Sequence, residues 1–389
     1  MRSFLSILAA LPAIFAAPVL NLESNAQSIA GQWIIQTTSG TDESAFNAIV
    51  TQLTTLLGIQ PKHTYNFGNY RGISVSASDA LIQTITNLAN IKSIERDSTV
   101  YANALVTQSG APYGLGRISH RAPGSTQYIY DSSAGSGTYS YIIDTGIYTS
   151  HNDFGGRATF GANFAGDGLN TDGNGHGTHV AGTTGSTTYG VAKKTNLIAV
   201  KVLDSQGSGA TSNVIAGIQW AYKDAKAKSR IGKAVGNLSL GGSFSQSTND
   251  AVTEAVKQGL FLAVAAGNSG VDAKSSSPAS APNVCTVGAS DSTDRRASFS
   301  NYGPVVDIFA PGVNILSTWI DDPNDTNTIS GTSMASPHVA GLGAYLLALE
   351  GARDPIALCD RIKTLSTKNI ITNPGASTTS NLAYNGNGA

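Results

Sequence analysis

The clearest candidate for chemistry is Ser333, in the segment Gly331-Thr332-Ser333-Met334-Ala335-Ser336-Pro337. The segment opens an apolar stretch, Met334 to Leu349, that is predicted to be helical. The hydroxyl would lie at the positive end of the helix dipole, with only small side chains around it. Serine alone is a weak nucleophile, so a base, a carboxylate that orients the base and an oxyanion donor must come from elsewhere in the chain.

Three residues of suitable types lie beside predicted strands or glycines. Asp144 ends the apolar run that starts at Tyr139, and Asn268 follows the run from Leu260 to Ala266. His176 lies in Gly175-His176-Gly177-Thr178-His179-Val180-Ala181-Gly182. Each has an ordinary alternative: aspartate and asparagine are common turn residues, and His176 and His179 could bind zinc. However, H-x-x-H lacks the spacing and the glutamate of a zinc-protease motif.

The order of these residues narrows the class of enzyme. Asp144, His176, Asn268 and Ser333 follow one another along the chain, and the order Asp, His, Ser belongs to one of three unrelated serine-hydrolase scaffolds. The chain lacks G-x-S-x-G, which argues against an esterase of the α/β-hydrolase type. The glycine-rich segments match neither a nucleotide loop nor an EF-hand. His120, His151 and His338 are interpreted as structural or solvated, and His63 lies in the small first part of the chain.

Length and composition favour a two-domain globular protein. The chain has 389 residues, of which 41% are hydrophobic and 13% are charged, so a large core is available. The formal net charge is −1, which argues against nucleic acid or an anionic membrane as a partner.

The N-terminus is typical of a secretory signal, so we expect a secreted, extracellular protein. Arg2 precedes the apolar run from Phe4 to Phe15, and Ala16 and Ala17 are small enough for cleavage. A buried helix or a membrane anchor is the alternative, but the run is too short to span a bilayer. The two cysteines favour one disulfide in an oxidising compartment, and the residues alone leave two buried thiols open.

Hydrophobic patterns divide the remainder into two parts. Residues 31–100 follow the order β-α-β-β-α-β, which predicts a small ferredoxin-like α+β unit. A polar stretch, Ser98 to Ser109, is interpreted as a linker. From Ala111 onward strands alternate with helices, which predicts an α/β fold with a mostly parallel sheet and helices on both faces. In such a sheet the site lies beyond the carboxyl ends of the strands.

These motifs resemble those of the subtilisin-like serine proteases, and specifically the proteinase K family, with the secreted fungal alkaline and cuticle-degrading proteases as the nearest type. The resemblance runs from about residue 111 to the C-terminus, and residues 31–100 resemble the family's inhibitory propeptide. The segments that carry it are Asp144-Thr145-Gly146, His176 to Gly182, Leu238-Ser239-Leu240-Gly241-Gly242, Ala265-Ala266-Gly267-Asn268 and Gly331 to His338.

The resemblance implies a role for each residue of the candidate site. Ser333 would be the nucleophile, His176 the general base and then general acid, and Asp144 the group that orients His176. Asn268 and the backbone N–H of Ser333 would form the oxyanion hole. No cofactor is expected for catalysis. The implied substrate-binding residues are Gly207, Ser208, Gly209, Ser239, Leu240, Gly241, Ala265 and Gly267.

The resemblance also implies a disulfide between Cys285 and Cys359. It further implies a structural calcium site built from the carbonyls of Pro282 and Val284 and the carboxylate of Asp307, which suits the oxygen ligands that calcium prefers. Two glycosylation sequons are present. We expect glycosylation at Asn324, in a polar loop, and none at Asn237, which enters a buried strand.

Together these observations predict a secreted, self-processing serine endopeptidase. We expect a signal peptide at 1–16, an inhibitory propeptide at 17–103 and a peptidase domain at 104–389, with cleavage near Asn103-Ala104. Protein substrates, a monomeric state and a preference for apolar or aromatic residues before the cut are also expected. A catalytically inactive binding protein of the same fold is the alternative, which the presence of all four site residues disfavours.

Overall fold

The computed structural model describes residues 16–20, 28–98 and 104–389. The predicted signal peptide therefore lies almost wholly outside the described residues, as does Asn103 of the predicted processing bond. The chain divides into two compact units between Tyr101 and Ala102. The assignment of these units to a propeptide and an enzyme stays a prediction.

The first unit has the element order that the sequence predicts. Its sheet has the strand order β1-β5-β2-β4-β3, and β1 pairs parallel with β5 while the other neighbours are antiparallel. Its core includes Trp33, Ile35, Phe46 and Leu53. The elements are β1 Val19–Leu20, β2 Ser28–Thr37, α1 Glu43–Leu56, β3 Pro61–Phe67, β4 Tyr70–Ser76, α2 Asp79–Ile85 and β5 Ile91–Ser98.

Side-chain caps set where both helices of this unit begin. Asp42 accepts a hydrogen bond from the N–H of Ala45, and Ser78 accepts one from the N–H of Leu81. A cap of this kind stabilises a helix by about 1 kcal/mol. Helix α2 ends at Ile85, and the chain turns before Asn90, which has φ 65°.

The second unit contains thirteen strands and six helices among the described residues. The strands are β6 Leu105–Ser109, β7 Gln127–Asp131, β8 Tyr139–Asp144, β9 Ala158–Asn163, β10 Asn196–Lys201, β11 Ala234–Leu238, β12 Gly242–Ser243, β13 Phe261–Ala265, β14 Ser276–Ser277, β15 Cys285–Ser290, β16 Ile308–Pro311, β17 Ile315–Thr318 and β18 Thr326–Ile329. The helices are α3 Tyr113–Ser119, α4 His176–Gly185, α5 Thr211–Ala227, α6 Gln246–Lys257, α7 Thr332–Glu350 and α8 Pro355–Leu365.

Seven of these strands form one parallel sheet in the order β16-β15-β13-β11-β8-β10-β9. Successive side chains of a strand point to opposite faces, and both faces are covered. Tyr141 and Ile143 pack in the cluster that includes α5 and α6, whereas Ile142 packs with Val180 of α4. Helix α7 packs on the α4 side, where Val339 and Leu342 belong to one hydrophobic cluster with Val235 and Ala263. The prediction of a mostly parallel sheet with helices on both faces is confirmed.

Parallel strands bring their carboxyl ends to one edge of the sheet, and that edge positions the site. Strand β8 ends at Asp144, β13 ends at Ala265, and β11 ends one residue before Ser239. In the described part of the chain, no helix combines the length and the hydropathy of a bilayer-spanning segment.

Candidate active site

Asp144 and His176 are in direct contact at the carboxyl edge of the sheet. Asp144 is fully buried as the last residue of β8, and its Oδ1 accepts hydrogen bonds from Nδ1 of His176 at 2.7 Å and from the N–H of Thr145 at 2.8 Å. About a quarter of the His176 side chain is exposed. A histidine whose Nδ1–H is held by a buried carboxylate presents Nε2 as the free acceptor.

Glycines on both sides of His176 allow the start of α4 to approach its neighbours closely. Gly175 precedes the helix with φ 100°, and a Cβ at this position would lie 2.5 Å from the ring of Trp319. A Cβ on Gly177 would clash with the carbonyl of Gly146, which follows β8. Larger residues on either side of His176 would therefore push it away from Asp144.

The surroundings raise the pKa of His176 above its ordinary value. Burial lowers this pKa, but the charge of Asp144 and its hydrogen bond to the ring raise it, and the charge of Asp172 adds to that effect. An opposite charge within a few ångströms favours the protonated ring. The arrangement therefore stabilises the imidazolium that forms when this histidine takes a proton.

Asp172 organises the turn in front of His176 and was not singled out by the sequence pattern. Its Oδ1 accepts from the hydroxyl of Thr145 and from the N–H groups of Asn174 and Gly175, and its Oδ2 accepts from the N–H and the hydroxyl of Thr178. Thr145 also accepts the N–H of Gly177. Asp172 thus connects the end of β8 to the start of α4. Its position four residues before His176, in an Asp- and Gly-rich stretch, was the available signal.

Ser333 is the second residue of α7 and is half-buried. Its hydroxyl donates to the carbonyl of Ser239 at 3.1 Å, and the hydroxyl of Ser239 donates back to the carbonyl of Ser333 at 2.7 Å. The two serines therefore hold each other through reciprocal bonds. The start of α7 leaves its first N–H groups without helical partners, which includes that of Ser333.

Asn268 follows β13, and contacts with Thr332 fix its orientation. Its Oδ1 accepts from both the N–H and the hydroxyl of Thr332 at 2.8 Å, so the amide N–H₂ group points away from them. A Cβ built on Gly331 would lie 3.5 Å from Nδ2 of Asn268 and 3.6 Å from the backbone nitrogen of Ser333. Nδ2 of Asn268 and the backbone nitrogen of Ser333, two potential donors, therefore both lie beside Gly331.

A cleft of about 450 Å³ lies beside Ser333 and Asn268. Four of the predicted substrate-binding residues line it: Leu240, Gly241, Ala265 and Gly267. Ser239 is buried behind Ser333, and Gly207, Ser208 and Gly209 lie in the exposed loop before α5, outside the lining of this cleft. The lining contains no charged side chain, but it is more polar than the strand sequences indicate, because Ser275, Ser276 and Asn301 contribute to it.

The other histidines of the second unit bond to backbone groups. His179 is buried and its Nε2–H donates to the carbonyl of Ile315, and burial lowers its pKa to about 4. His338 is buried as well, donates from Nδ1 to the carbonyl of Met334, and also has a pKa lowered by burial to about 4. Both rings are therefore neutral at physiological pH. His120 and His151 likewise contact nearby carbonyls.

Cys285 and Cys359 are joined by a disulfide that links β15 to α8, with Cα atoms 5.8 Å apart. Their separation of 74 residues corresponds to a stabilisation of about 4 kcal/mol in the loop-entropy model. Because both sulfurs are bonded to each other, neither is available as a metal ligand, although Asp307 lies close to them.

Asp307 of the predicted calcium site already has two partners. Its Oδ2 accepts from the N–H of Thr286 at 2.9 Å, and its Oδ1 lies 3.2 Å from Nζ of Lys363. The carbonyl of Pro282 accepts from the hydroxyl of Thr253. The oxygens are of the type that calcium binds, so the residues fit the ion in chemistry. The ammonium of Lys363 competes for the same carboxylate, and the calcium site stays a prediction.

The two sequons differ in accessibility. Asn324 is exposed, and its Oδ1 accepts from Nδ2 of Asn152. Asn237 is 1% exposed and has hydrogen-bond partners on both sides of its amide. An oligosaccharide cannot be attached to a buried side chain of the folded protein, so Asn324 is the better acceptor.

Comparisons with known proteins identify the family of the chain. The Subtilase family model matches residues 109–379. The chain is 48% identical to a cuticle-degrading protease of Metarhizium anisopliae over 98% of this chain and 99% of that protein. It is 50% identical to the subtilisin-like serine protease AsES of Sarocladium strictum, over 98% of each. It is 47% identical to alkaline protease 1 of Emericella nidulans, over 99% of this chain and 98% of that protein.

A solved structure is also similar. The crystal structure of a cold-adapted subtilisin-like serine proteinase superposes with a TM-score of 0.67 at 43% identity, and the match covers 71% of this chain and 99% of that one. Three findings lead to the same assignment. The family model matches most of the chain, the relatives are near 50% identical over almost its full length, and the parallel sheet carries the expected helices. The chain belongs to the subtilase family and is a subtilisin-like serine endopeptidase.

Proposed function

We propose that this endopeptidase cleaves peptide bonds through an acyl-enzyme on Ser333. The hydroxyl oxygen of Ser333 attacks the scissile carbonyl carbon while Nε2 of His176 accepts its proton. The resulting imidazolium then donates that proton to the leaving amine, and water hydrolyses the ester with His176 acting again as base. The observation that carries the proposal is the 2.7 Å contact between Asp144 and His176 at the sheet edge where α7 presents Ser333.

Asp144 acts by holding the ring of His176 and by stabilising its positive charge. The carboxylate is fully buried and accepts Nδ1–H, which leaves Nε2 unprotonated and able to serve as the base. Asp172 accepts hydrogen bonds from Thr145, which follows β8, and from Gly175, which precedes α4, and these bonds support a distance between Asp144 and His176 that is set by the fold.

The oxyanion is stabilised by Nδ2 of Asn268 and the backbone N–H of Ser333. This role is supported by the orientation of the Asn268 amide, whose oxygen accepts from Thr332, and by the position of both donors beside Gly331. Donors that are fixed before the reaction stabilise developing charge without reorganisation in the transition state.

The cleft beside Ser333 holds the residue before the cut, for which we propose an apolar or aromatic preference. Its volume of about 450 Å³ and a lining without charged side chains support this preference. The segment Ser239-Leu240-Gly241 and the loop Gly207-Ser208-Gly209 pair with an extended peptide as added strands. The seryl and asparagine groups of the lining accommodate a tyrosine hydroxyl as well as a hydrocarbon ring.

The enzyme is made as a secreted zymogen. Residues 1–16 are removed as the signal peptide, residues 17–103 act as an intramolecular inhibitor, and cleavage near Asn103-Ala104 releases a monomeric enzyme. The compact first unit and the division of the chain at residue 101 support this order of events. Asn324 carries the glycan. Pro282, Val284 and Asp307 would hold a structural calcium ion after the ammonium of Lys363 has moved away from the carboxylate of Asp307.

Casein hydrolysis and self-processing by the full chain test the proposal. The secreted wild type is expected to lose about residues 17–103 and to hydrolyse casein, whereas Ser333→Ala is expected to keep its first unit and to be inactive. A Ser333→Ala protein that still processes itself in cis would contradict the mechanism, and N-terminal sequencing that finds a start well away from 101–107 would contradict the processing bond. A wild type that is secreted and folded but inactive on casein would favour the inactive binding protein.

A further inference from the structure

Asn237 is a buried amide that the proposed mechanism does not use. It lies on β11, paired with Ala263 of β13 and with Ile142 of β8, in the middle of the parallel sheet. Only 1% of the residue is exposed. A buried side-chain amide is stable only when its donors and acceptor have partners, so its contacts reveal why a polar residue occupies this position.

The amide connects two serines that flank Ser333. Its Nδ2 donates to the hydroxyl oxygen of Ser239 at 2.9 Å, and its Oδ1 accepts the hydroxyl of Ser336 at 2.7 Å. Ser336 lies one turn after Ser333 on α7 and is fully buried. Ser239 in turn donates its hydroxyl to the carbonyl of Ser333 at 2.7 Å. The amide therefore holds α7 at one end and the peptide group of Ser333, through Ser239, at the other.

The direction of each hydrogen bond in this set depends on the amide. The hydroxyl of Ser239 donates its one proton to the carbonyl of Ser333, so its oxygen can only accept the remaining hydrogen bond. Nδ2 of Asn237 is the donor of that bond. The hydroxyl of Ser336 needs an acceptor, which Oδ1 supplies. We call the hydrogen bonds from Ser336 through Asn237 and Ser239 to the carbonyl of Ser333 the relay. A carboxylate in place of the Asn237 amide can still accept from Ser336 but cannot donate to Ser239, so it breaks only the half of the relay that leads to Ser333.

We propose that Asn237 is a positioning residue for Ser333: through Ser239 and Ser336 it fixes the first turn of α7 against β11 and so sets the nucleophile in line with His176. This inference rests on the proposed role of Ser333. A displacement of a reacting group by about 1 Å lowers a rate about 10²-fold, so loss of the relay should lower kcat and leave substrate binding in the cleft largely intact.

Asn237→Asp tests the proposal in the full chain, with Asn249→Asp as the matched control. Asn249 is also a buried asparagine whose Nδ2 donates to a serine hydroxyl, that of Ser280 at 3.0 Å, but it lies on α6. Active sites are counted by titration with a serine-directed phosphonate, and kcat and KM are measured per titrated site. We expect kcat of Asn237→Asp to fall about 10- to 100-fold with KM within about 2-fold of the wild type. We expect Asn249→Asp to have a lower Tm and wild-type kcat.

Two further measurements keep the test decisive. If Asn237→Asp does not mature, Ser336→Ala removes only the bond into Oδ1, and it should lower kcat in the same direction by about 3- to 10-fold. In Asn237→Asp a new charge acting on His176 would move the acid limb of the kcat/KM profile, whereas mispositioning, in this variant or in the uncharged Ser336→Ala, leaves the limb in place and lowers the plateau. The double variant Asn237→Asp, Ser239→Ala should be no slower than the slower single variant, because both act through one relay.

The outcomes separate this inference from the proposed function. A wild type that the phosphonate does not label contradicts the role of Ser333 itself. A labelled wild type together with wild-type kcat per site in Asn237→Asp and in Ser336→Ala overturns the positioning role alone, as does a shifted acid limb with an unchanged plateau.

Discussion

Asp144 and Asp307 are acidic residues at opposite edges of the same parallel sheet. Asp144 ends β8 at the carboxyl edge, and Asp307 immediately precedes β16 at the amino edge. Asp144 is fully buried and pairs with a titratable ring, that of His176. Asp307 is a quarter exposed and pairs with an ammonium group, that of Lys363. In the proposed mechanism the charge of Asp144 therefore acts on a ring that gains and loses a proton, whereas the charge of Asp307 acts on a lysine ammonium group.

The carboxyl edge of the sheet holds the residues proposed for catalysis, whereas the contacts of Asp307 at the amino edge contribute to the stability of the fold. At the carboxyl edge, loops approach from several strands and leave a cleft, as is general in open α/β sheets. At the amino edge, Asp307 connects the loop before β16 to α8 through Lys363 and lies close to the disulfide. Changes at the first edge should alter rates, and changes at the second should alter unfolding.

The largest expected effect is that of Asp144→Asn. The amide donates where the carboxylate accepted, so it favours the wrong tautomer of His176, and kcat should fall about 10⁴-fold, the loss known for the equivalent change in another serine protease. Titrated kinetics on a peptide substrate check this, with the Tm as a control for folding. A fall of less than tenfold would contradict the role of Asp144.

Asn268→Ala should be the next largest. Losing one oxyanion donor lowers kcat about 10²- to 10³-fold, a range established in a subtilisin and borrowed here because the family is the same. KM should change little, because the donor acts mainly in the transition state. If kcat/KM fell by the same factor through a higher KM with an unchanged kcat, Asn268 would contribute to substrate binding instead.

The acid limb of the pH profile of kcat/KM should have its midpoint above about pH 6.5, the ordinary pKa of histidine. In the proposed mechanism the neutral ring of His176 is the base, and its pKa is raised because the effect of Asp144 outweighs that of burial. The same shift stabilises the folded state below the unfolded pKa, and this contribution is lost as pH rises through the folded pKa. The logarithm of kcat/KM should fall with a slope of about one below that pKa. A limb well below pH 6 would contradict the raised pKa.

The smallest effect on activity is expected at the amino edge. Lys363→Met removes the ammonium group beside Asp307 and keeps an unbranched side chain at this position of α8. The Tm in EDTA should therefore fall by about 2–4 °C, equivalent to about 1 kcal/mol. Addition of calcium should then raise the Tm of Lys363→Met more than that of the wild type, because the competing cation is gone. The kcat at 25 °C should stay unchanged. Scanning calorimetry with and without calcium checks this, and Asp307→Asn, which lacks the carboxylate, should show no calcium response.

The site residues that the sequence predicts are those whose signal is local. Asp144 and Asn268 each follow an apolar strand, and Ser333 lies at a helix start, so strand and helix periodicity were sufficient to place them at one edge. The glycines around His176 were local signals as well, and the structure shows that they allow close packing.

The parts that the sequence did not predict depend on distant contacts or lack a periodic pattern. Helix α4 is buried on nearly all sides and rich in glycine and threonine, so it has no amphipathic stripe to delimit it. The relay from Asn237 reaches Ser336 across 99 residues, and the pair of Asp307 with Lys363 spans 56. Such partners become visible only when the sheet brings them together.

The central claim is that Ser333 is the nucleophile, activated by His176 and Asp144. The most direct test is to treat the mature enzyme with a serine-directed phosphonate and to map the adduct by peptide mass spectrometry across a range of pH. The account predicts one adduct per molecule, on Ser333, formed at a rate that rises with pH through the raised pKa of His176 and that falls sharply in Asp144→Asn. An adduct on another serine, or labelling of Ser333 at a rate independent of both pH and Asp144, would contradict it.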